Sequence, residues 1–378
     1  MKKILLATTG LVGAALVAGA ASAETPKVTL GGYADFQAGW VEEDGDAARR
    51  SHGFRNDNEI TIHVDGKTEG GLGYGAVIDL EADITADANN QGTNAARTFT
   101  YLESGWGRFE LGGNKDAAAN LRVDASTLAV ATGGINGAWT YFANGGGAAL
   151  GGQSYITTSK LVAEHGLTTT AGDESTYNAT KVSYYTPRWY GLQGGVSYTP
   201  DINDRGQGVA RIDNAAGSFG DIWDLSVNYE NQFSNGIKLA ASAAYEVADA
   251  DTNANEDVSA WNVGALLGYQ GFSAAASYGD WGDSTRLNNV RNDDASYWTA
   301  GLAYEGGPFG VSATYLDSTT EQGAAVDNEF TNLVIGADYK LAPGLTPYAE
   351  VSFYEYDTAL NANDNDGTAV ILGTQLAF

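Results

Sequence analysis

YWTAGLAYEGGPFGVSATYL, residues 297 to 316, decides the fold. On its first arm Trp298, Ala300, Leu302 and Tyr304 share one face of an extended strand and Thr299, Gly301 and Ala303 the other, because strand side chains alternate with period two. The second arm repeats this, with Phe309, Val311, Ala313 and Tyr315 opposite Gly310, Ser312 and Thr314, and Glu305-Gly306-Gly307-Pro308 supplies turn chemistry between them. Each apolar face opens and closes on an aromatic, so two rings about 15 to 20 Å apart bracket small aliphatic side chains. That pattern predicts a membrane-spanning strand with an aromatic girdle at each interface. A half-buried hairpin of a soluble sandwich also alternates, so repetition along the chain has to decide.

Met1 to Ala23 reads as a cleavable leader: Lys2 and Lys3, an apolar stretch from Ile4 to Ala20, then Ala21-Ser22-Ala23 before Glu24. Export is therefore expected, with residues 24–378 forming one domain. The formal net charge of -27 makes the chain a poor ligand for nucleic acid. With no cysteine, disulfides and thiolate metal sites are excluded. Beyond the leader no run approaches the length of a transmembrane helix, whereas barrel strands need only be half apolar. Fifty glycines and 21 tyrosines against six prolines suit many strands joined by glycine turns.

The alternation recurs in pairs. Val28 to Val41 sets Leu30, Ala34, Phe36, Ala38 and Trp40 outward against Tyr33, Asp35 and Gln37. Arg55 to Thr68 follows, with Glu59, Thr61, His63 and Asp65 inward, and then a strand with Tyr74, Ala76, Ile78 and Leu80 outward. Short turns fall at 69–73, 104–107, 186–191, 233–236, 269–272, 305–308 and 341–344. Long acidic connections fall at 44–53, 84–96, 115–175, 200–217, 249–257, 280–296, 317–329 and 357–367. Their strict alternation puts all long loops at one end, as in a 16-stranded antiparallel transmembrane β-barrel with short periplasmic turns and long extracellular loops. A soluble sandwich has no reason to segregate its loops this way. Aromatic brackets recur in Trp223 with Tyr229, Phe272 with Tyr278, and Trp261 with Tyr269. Sixteen strands leave an aqueous channel, and Gln193, Gly195, Ser197 and Thr199 with Asp224, Ser226, Asn228 and Glu230 read as its wetted wall.

The last strand ends Val370, Leu372, Thr374, Leu376, Phe378 on one face. That ending, YYTPRWYGLQGGVSYTPD (184 to 201) and YKLAPGLTPYAEV (339 to 351) resemble segments of Gram-negative general-diffusion porins of the alphaproteobacterial, Rhodobacter-like type. The resemblance implies an outer-membrane, lipid-embedded homotrimer that passes small hydrophilic solutes and ions, with no cofactor. It also implies that the third long loop, 115–175, folds inward as a constriction. The resemblance makes the loop carboxylates Asp116 and Asp124 the acidic candidates for that neck, joined by the wall carboxylates Asp79, Glu81 and Asp83; strand phase gives the basic candidates Arg55, Arg97 and Lys181, with Arg108 and Arg122 in reserve. Opposed charges across a narrow neck orient dipolar solutes. The PEFGG-like bend is absent, and Gly112, Gly113 and Asn114 stand where family members carry arginines, so weak cation preference is expected.

Three other readings compete. Asp249, Asp251, Asp364 and Asp366 offer hard oxygen ligands for calcium, although a solvated acidic face that attracts divalent cations diffusely explains them better. A substrate-specific channel of 16 to 18 strands, for instance for sugars, would need a lumenal row of aromatics, and its 18-strand form a further hairpin near Ala138 to Val162. An outer-membrane enzyme would need a base beside a nucleophile, and only His52, His63 and His165 are available.

Overall fold

Alternation of apolar and polar residues from Glu24 onward folds as the sequence predicts. The computed structural model describes residues 24–44, 50–83, 95–143, 156–165, 179–206, 209, 219–251, 256–284, 294–321, 327–357 and 364–378; the expected leader lies outside them. Sixteen strands follow in order: β1 (Glu24–Glu43), β2 (His52–Lys67), β3 (Gly73–Glu81), β4 (Ala95–Ser104), β5 (Gly107–Gly113), β6 (Thr180–Tyr185), β7 (Leu192–Asp201) and β8 (Phe219–Gln232). The second half comprises β9 (Lys238–Ala250), β10 (Val258–Tyr269), β11 (Phe272–Gly282), β12 (Ala295–Gly306), β13 (Phe309–Glu321), β14 (Asp327–Tyr339), β15 (Leu345–Asp357) and β16 (Asn365–Ala377). Each pairs antiparallel with its sequence neighbours, and β1 pairs with β16 from Tyr33 opposite Ala377 to Glu43 opposite Gly367. Closure leaves no strand edge unpaired, the condition for a sheet to cross hydrocarbon.

The outer face is apolar and bracketed by rings. On β12 Trp298, Leu302 and Tyr304 are exposed outward while Tyr297 and Thr299 are buried inward. At the short-turn end Phe272 packs on Tyr304 (4.6 Å between centroids) and Phe309 on Tyr339 (4.7 Å). At the long-loop end Tyr198 meets Trp223 (4.6 Å), Trp261 meets Tyr278 (5.5 Å) and Trp298 meets Tyr315 (5.1 Å). Two turns show why their residues are needed. Tyr190-Gly191 and Gln270-Gly271 each place two successive residues at positive φ (49° and 92°, 49° and 87°), the twist that a two-residue hairpin demands.

Two expectations need correcting. β13 continues to Glu321 and β14 starts at Asp327, so the connection is shorter than 317–329; Asp317 to Thr320 is polar on both faces and offers no apolar period to read. The extra hairpin considered near Ala138 to Val162 does not form in its described residues, which hold a 3₁₀ turn at Ala138–Tyr141 and the start of a short helix at Val162.

Candidate functional site

The third long connection enters the barrel and lines its wall. It carries α1 (Ala117–Leu121), 3₁₀ turns at Ala125–Leu128, Gly134–Asn136 and Ala138–Tyr141, and α2 (Val162–His165); residues 144–155 and 166–178 lie outside the described set. A buried irregular backbone must find partners for its N–H and C=O groups. The wall supplies them as single hydroxyls and carboxylates. Ala117 N–H donates to Ser197 Oγ (2.8 Å), Val123 N–H to Ser242 Oγ (2.8 Å), Ala125 N–H to Thr299 Oγ1 (3.3 Å), Val130 N–H to Ser312 Oγ (3.0 Å) and Ile135 N–H to Thr314 Oγ1 (3.1 Å). Asn228 Nδ2 donates to the Leu121 carbonyl at 3.0 Å, and Ser318 Oγ to the Ile156 carbonyl at 2.8 Å. Between these posts the wall is cut down to glycine. A Cβ on Gly264 would overlap the Val123 carbonyl oxygen, and one on Gly301 would come within 3.1 Å of Leu128.

Apolar contacts complete the docking. Trp139, fully buried, stacks between Phe330 (5.9 Å) and Tyr354 (5.6 Å), and Leu161, Val162 and Ala163 pack on Phe219, Ile222, Val258 and Ala260. Thus the inward residues of β7 and β8 expected to be wetted are mostly covered: Ser197, Thr199 and Asp224 have no exposure, and Asn228 almost none. The polar character of Ser197 and Asn228 serves the loop backbone rather than water. Phe330, Tyr354 and Tyr356 are inward aromatics that sequence phase alone did not single out; the first two are the ring partners of Trp139, and Tyr356 packs on both of them.

Several candidate neck charges serve this docking instead of facing the lumen. Asp116 is buried and caps α1, accepting from Ala119 N–H at 2.7 Å. Asp124 is buried and caps the turn that follows it, accepting from Thr127 N–H (3.0 Å), while Thr127 Oγ1 accepts in return from Asp124 N–H (3.0 Å). Lys181 is buried on β6 and donates to the carbonyls of Asn114 and Ala179, the latter at 2.7 Å. Asp83 leaves the inward row altogether. β3 stops at Glu81, period two lapses, and the Asp83 carboxylate accepts from the side chains of Asn56 and Asn58 (2.7 Å each), which lie on the outward phase of β2 with Phe54 and Ile60.

Within the loop Arg122 donates to Asp124 Oδ2 (3.0 Å) and pairs with Glu164, tying α1 to α2. Burial pushes the Glu164 carboxyl up, but Arg122, then Lys160 and Lys115, outweigh it and hold it below the ordinary range. Burial is the largest influence on the Arg122 guanidinium and acts to lower it; Glu164 and Asp124 more than compensate, so it stays firmly charged. Burial also lowers the Lys115 amine to about 8, partly countered by Glu164.

What remains open runs along β2, a strand on which no residue is buried. Its inward row is Gly53, Arg55, Asp57, Glu59, Thr61, His63 and Asp65. Arg55 donates to Asp57 (2.9 Å) and Gln37 (3.2 Å), and its guanidinium lies 3.8 Å from the ring of the loop's Tyr141, itself exposed. Asp57, Glu59 and Glu81 bring oxygen atoms within 4.8 Å of one another. Beside them Arg97 donates through Nε to Asp79 at 2.7 Å. Of the predicted residues, then, Arg55, Glu81, Asp79 and Arg97 come together on this wall, joined by Asp57 and Glu59. Among the described residues Asp57, Glu59 and Glu81 form the group close enough to share a cation, and it includes none of Asp249, Asp251, Asp364 or Asp366.

A closed sixteen-stranded barrel with a lipid-facing apolar belt and a charged, water-accessible interior is a transmembrane channel. The chain belongs to the Gram-negative porin family, whose model matches residues 7–359. Uncharacterized proteins of Rickettsia typhi and Rickettsia bellii are each 26% identical to it, the first over 100% of both chains and the second over 74% of this chain and 75% of its own. Among solved structures, a triple mutant of the Rhodopseudomonas blastica porin is 19% identical with a TM-score of 0.60, covering 93% of this chain and 100% of its own. A loop-deletion mutant of OmpT, an outer membrane protein of Vibrio cholerae, is 12% identical with a TM-score of 0.62, covering 94% and 100%. At these identities the shared property is the fold, and the resemblance to Rhodobacter-type porins holds at that level. The protein is an outer-membrane porin, a channel for small solutes and ions.

Proposed function

We propose that this porin is a general-diffusion channel with modest cation preference, and that its selective surface is the β2 wall rather than the loop carboxylates. The observation that carries the reading is the charge balance of the water-accessible row: Asp57, Glu59, Asp65 and Glu81 against Arg55 and Arg97, with Asp79 paired to Arg97. An excess of carboxylates beside low-dielectric walls concentrates cations and raises the barrier for anions. Tyr141 against Arg55 marks where the loop approaches this wall, and there we place the constriction.

We further infer a homotrimer formed through the outward faces of β1, β2 and β16. Gly32, Ala34 and Ala38 leave β1 low enough for close packing, beside a Phe36 and Phe54 pair whose rings lie 5.7 Å apart. The test of selectivity is the reversal potential in a potassium chloride gradient. Wild type is expected to favour potassium, and Asp57→Asn, Glu59→Gln and Glu81→Gln together to move the potential toward the chloride limit. A wild-type potential of anion sign, or a triple variant identical to wild type, would refute the assignment.

A further inference from the structure

Asp224 on β8 and Glu246 on β9 face each other across the ladder, point inward, and are both completely buried beneath the loop. Their carboxyl groups lie within hydrogen-bonding reach of each other. Among the described residues neither Asp224 oxygen has a donor, and Glu246 has a single one, the Ala163 N–H of α2, at 2.8 Å from Oε1; Glu246 Oε2 has none. Two carboxylates in contact, buried, with four oxygens and one N–H between them, cannot both be ionised without a proton or a cation shared between them.

We propose that Asp224 and Glu246 share one proton, and that this carboxyl–carboxylate bridge is a latch holding the α2 end of the constriction loop against the β8 and β9 wall. Loss of the proton on alkalinisation leaves two like charges in contact, and the nearest relief is separation of Glu246 from Ala163 and hydration of the pair. The charged groups facing the latch are Lys181 from β6, Asp116 at the start of α1, and Glu164 from α2, with Glu110 and Arg205 beyond Lys181. Lys181 supports the ionised pair but is already engaged by the carbonyls of Asn114 and Ala179; Asp116 and Glu164 oppose it. Lys115, whose amine burial lowers to about 8, works in the opposite direction, since losing its charge relieves a buried cation, so alkaline release cannot be its doing.

The experiment is amide hydrogen exchange of the intact protein in detergent micelles containing EDTA, followed over residues 156–165 from neutral to alkaline pH and corrected for intrinsic exchange. Protection of this segment in wild type is expected to fall about tenfold or more across that range, while strands β10 to β14 stay protected. Glu246→Gln keeps the oxygen for Ala163 and gives Asp224 a permanent donor, so its protection should not change with pH. Asp224→Asn is a second route to the same result should the first variant fail to insert. Flat protection in wild type, or the same alkaline loss in both variants, overturns the proposal. So does added calcium restoring protection at alkaline pH, which would assign the bridge to a metal ion.

Discussion

Gly264→Ala adds one methyl group at the point where β10 meets the loop. Its backbone has no need of glycine's freedom, since its φ is not positive, so the barrel strand itself tolerates or gains from alanine. The loop does not tolerate it. The new carbon would overlap the Val123 carbonyl oxygen and lie 2.9 Å from its carbon, and both are backbone atoms that cannot rotate away. Restoring normal separation moves the loop by about 1.5 Å or more, because the overlapped oxygen as well as its carbon must retreat to the roughly 3.5 Å at which non-bonded heavy atoms pack. That shift strains two docking bonds, Val123 N–H to Ser242 Oγ and Asn228 Nδ2 to the Leu121 carbonyl. Each leaves a buried group unsatisfied at about 1 to 3 kcal/mol, so docking weakens by roughly 2 to 6 kcal/mol if both are lost. Gly53→Ala is the control, because it lies on the inward row of β2 with nothing within 4 Å of the added carbon. The assay is single-channel recording with limited proteolysis of the loop. Gly264→Ala should give noisier, altered conductance and faster cleavage within residues 115–165, with the barrel still folded, while Gly53→Ala should match wild type. Equal behaviour of the two variants, in either direction, would refute the claim that the glycine row seats the loop.

Other consequences follow from the same contacts. Arg122→Met strands Asp124 and Glu164 without their buried partner and should cost about 3 to 5 kcal/mol of loop docking, read as faster exchange across 156–165. Trp139→Ala empties the slot between Phe330 and Tyr354 and should cost about 3 to 5 kcal/mol, read as lost protection of residues 134–143 without loss of the barrel. Because the Glu164 carboxyl is held below its ordinary value of 4.5, its contribution to docking is complete above that value and is lost as the pH falls through its lower folded value. Acidification below about 4.5 should therefore loosen the loop, and Glu164→Gln, already lacking that contribution, should show a flatter acid profile.

The barrel was legible because its signals repeat. Aromatic brackets on strand after strand, and loops that alternate short and long, are each weak alone and jointly decisive; strand ends differ from expectation by a few residues, as at β1, which starts at Glu24 rather than Val28, and at β13, where Asp317 to Thr320 is polar on both faces. The lumen was harder to read because one residue type serves two purposes. Ser197, Ser242 and Thr299 suit a wetted wall and equally suit a wall that must satisfy a buried backbone; only the position of the loop distinguishes them. Asp116 before Ala-Ala-Ala and Asp124 three residues before Thr127 carry visible helix-capping signals, which competed with their reading as neck charges. Asp83 failed for a simpler reason: parity was continued two residues past the end of β3. Glu59 was read on the correct face of β2, but its role and that of Asp57 depend on the loop leaving that wall open, which strand phase does not encode.

The most direct test of the account is single-channel conductance of the purified protein in a planar bilayer over a series of potassium chloride concentrations. An aqueous path along β2 predicts stable ohmic steps whose conductance tracks the conductivity of the bulk solution, flattening at low salt as the wall carboxylates keep potassium concentrated in the channel. Inserted, folded protein that gives no steps, or steps whose low-salt limit is carried by chloride, would contradict it.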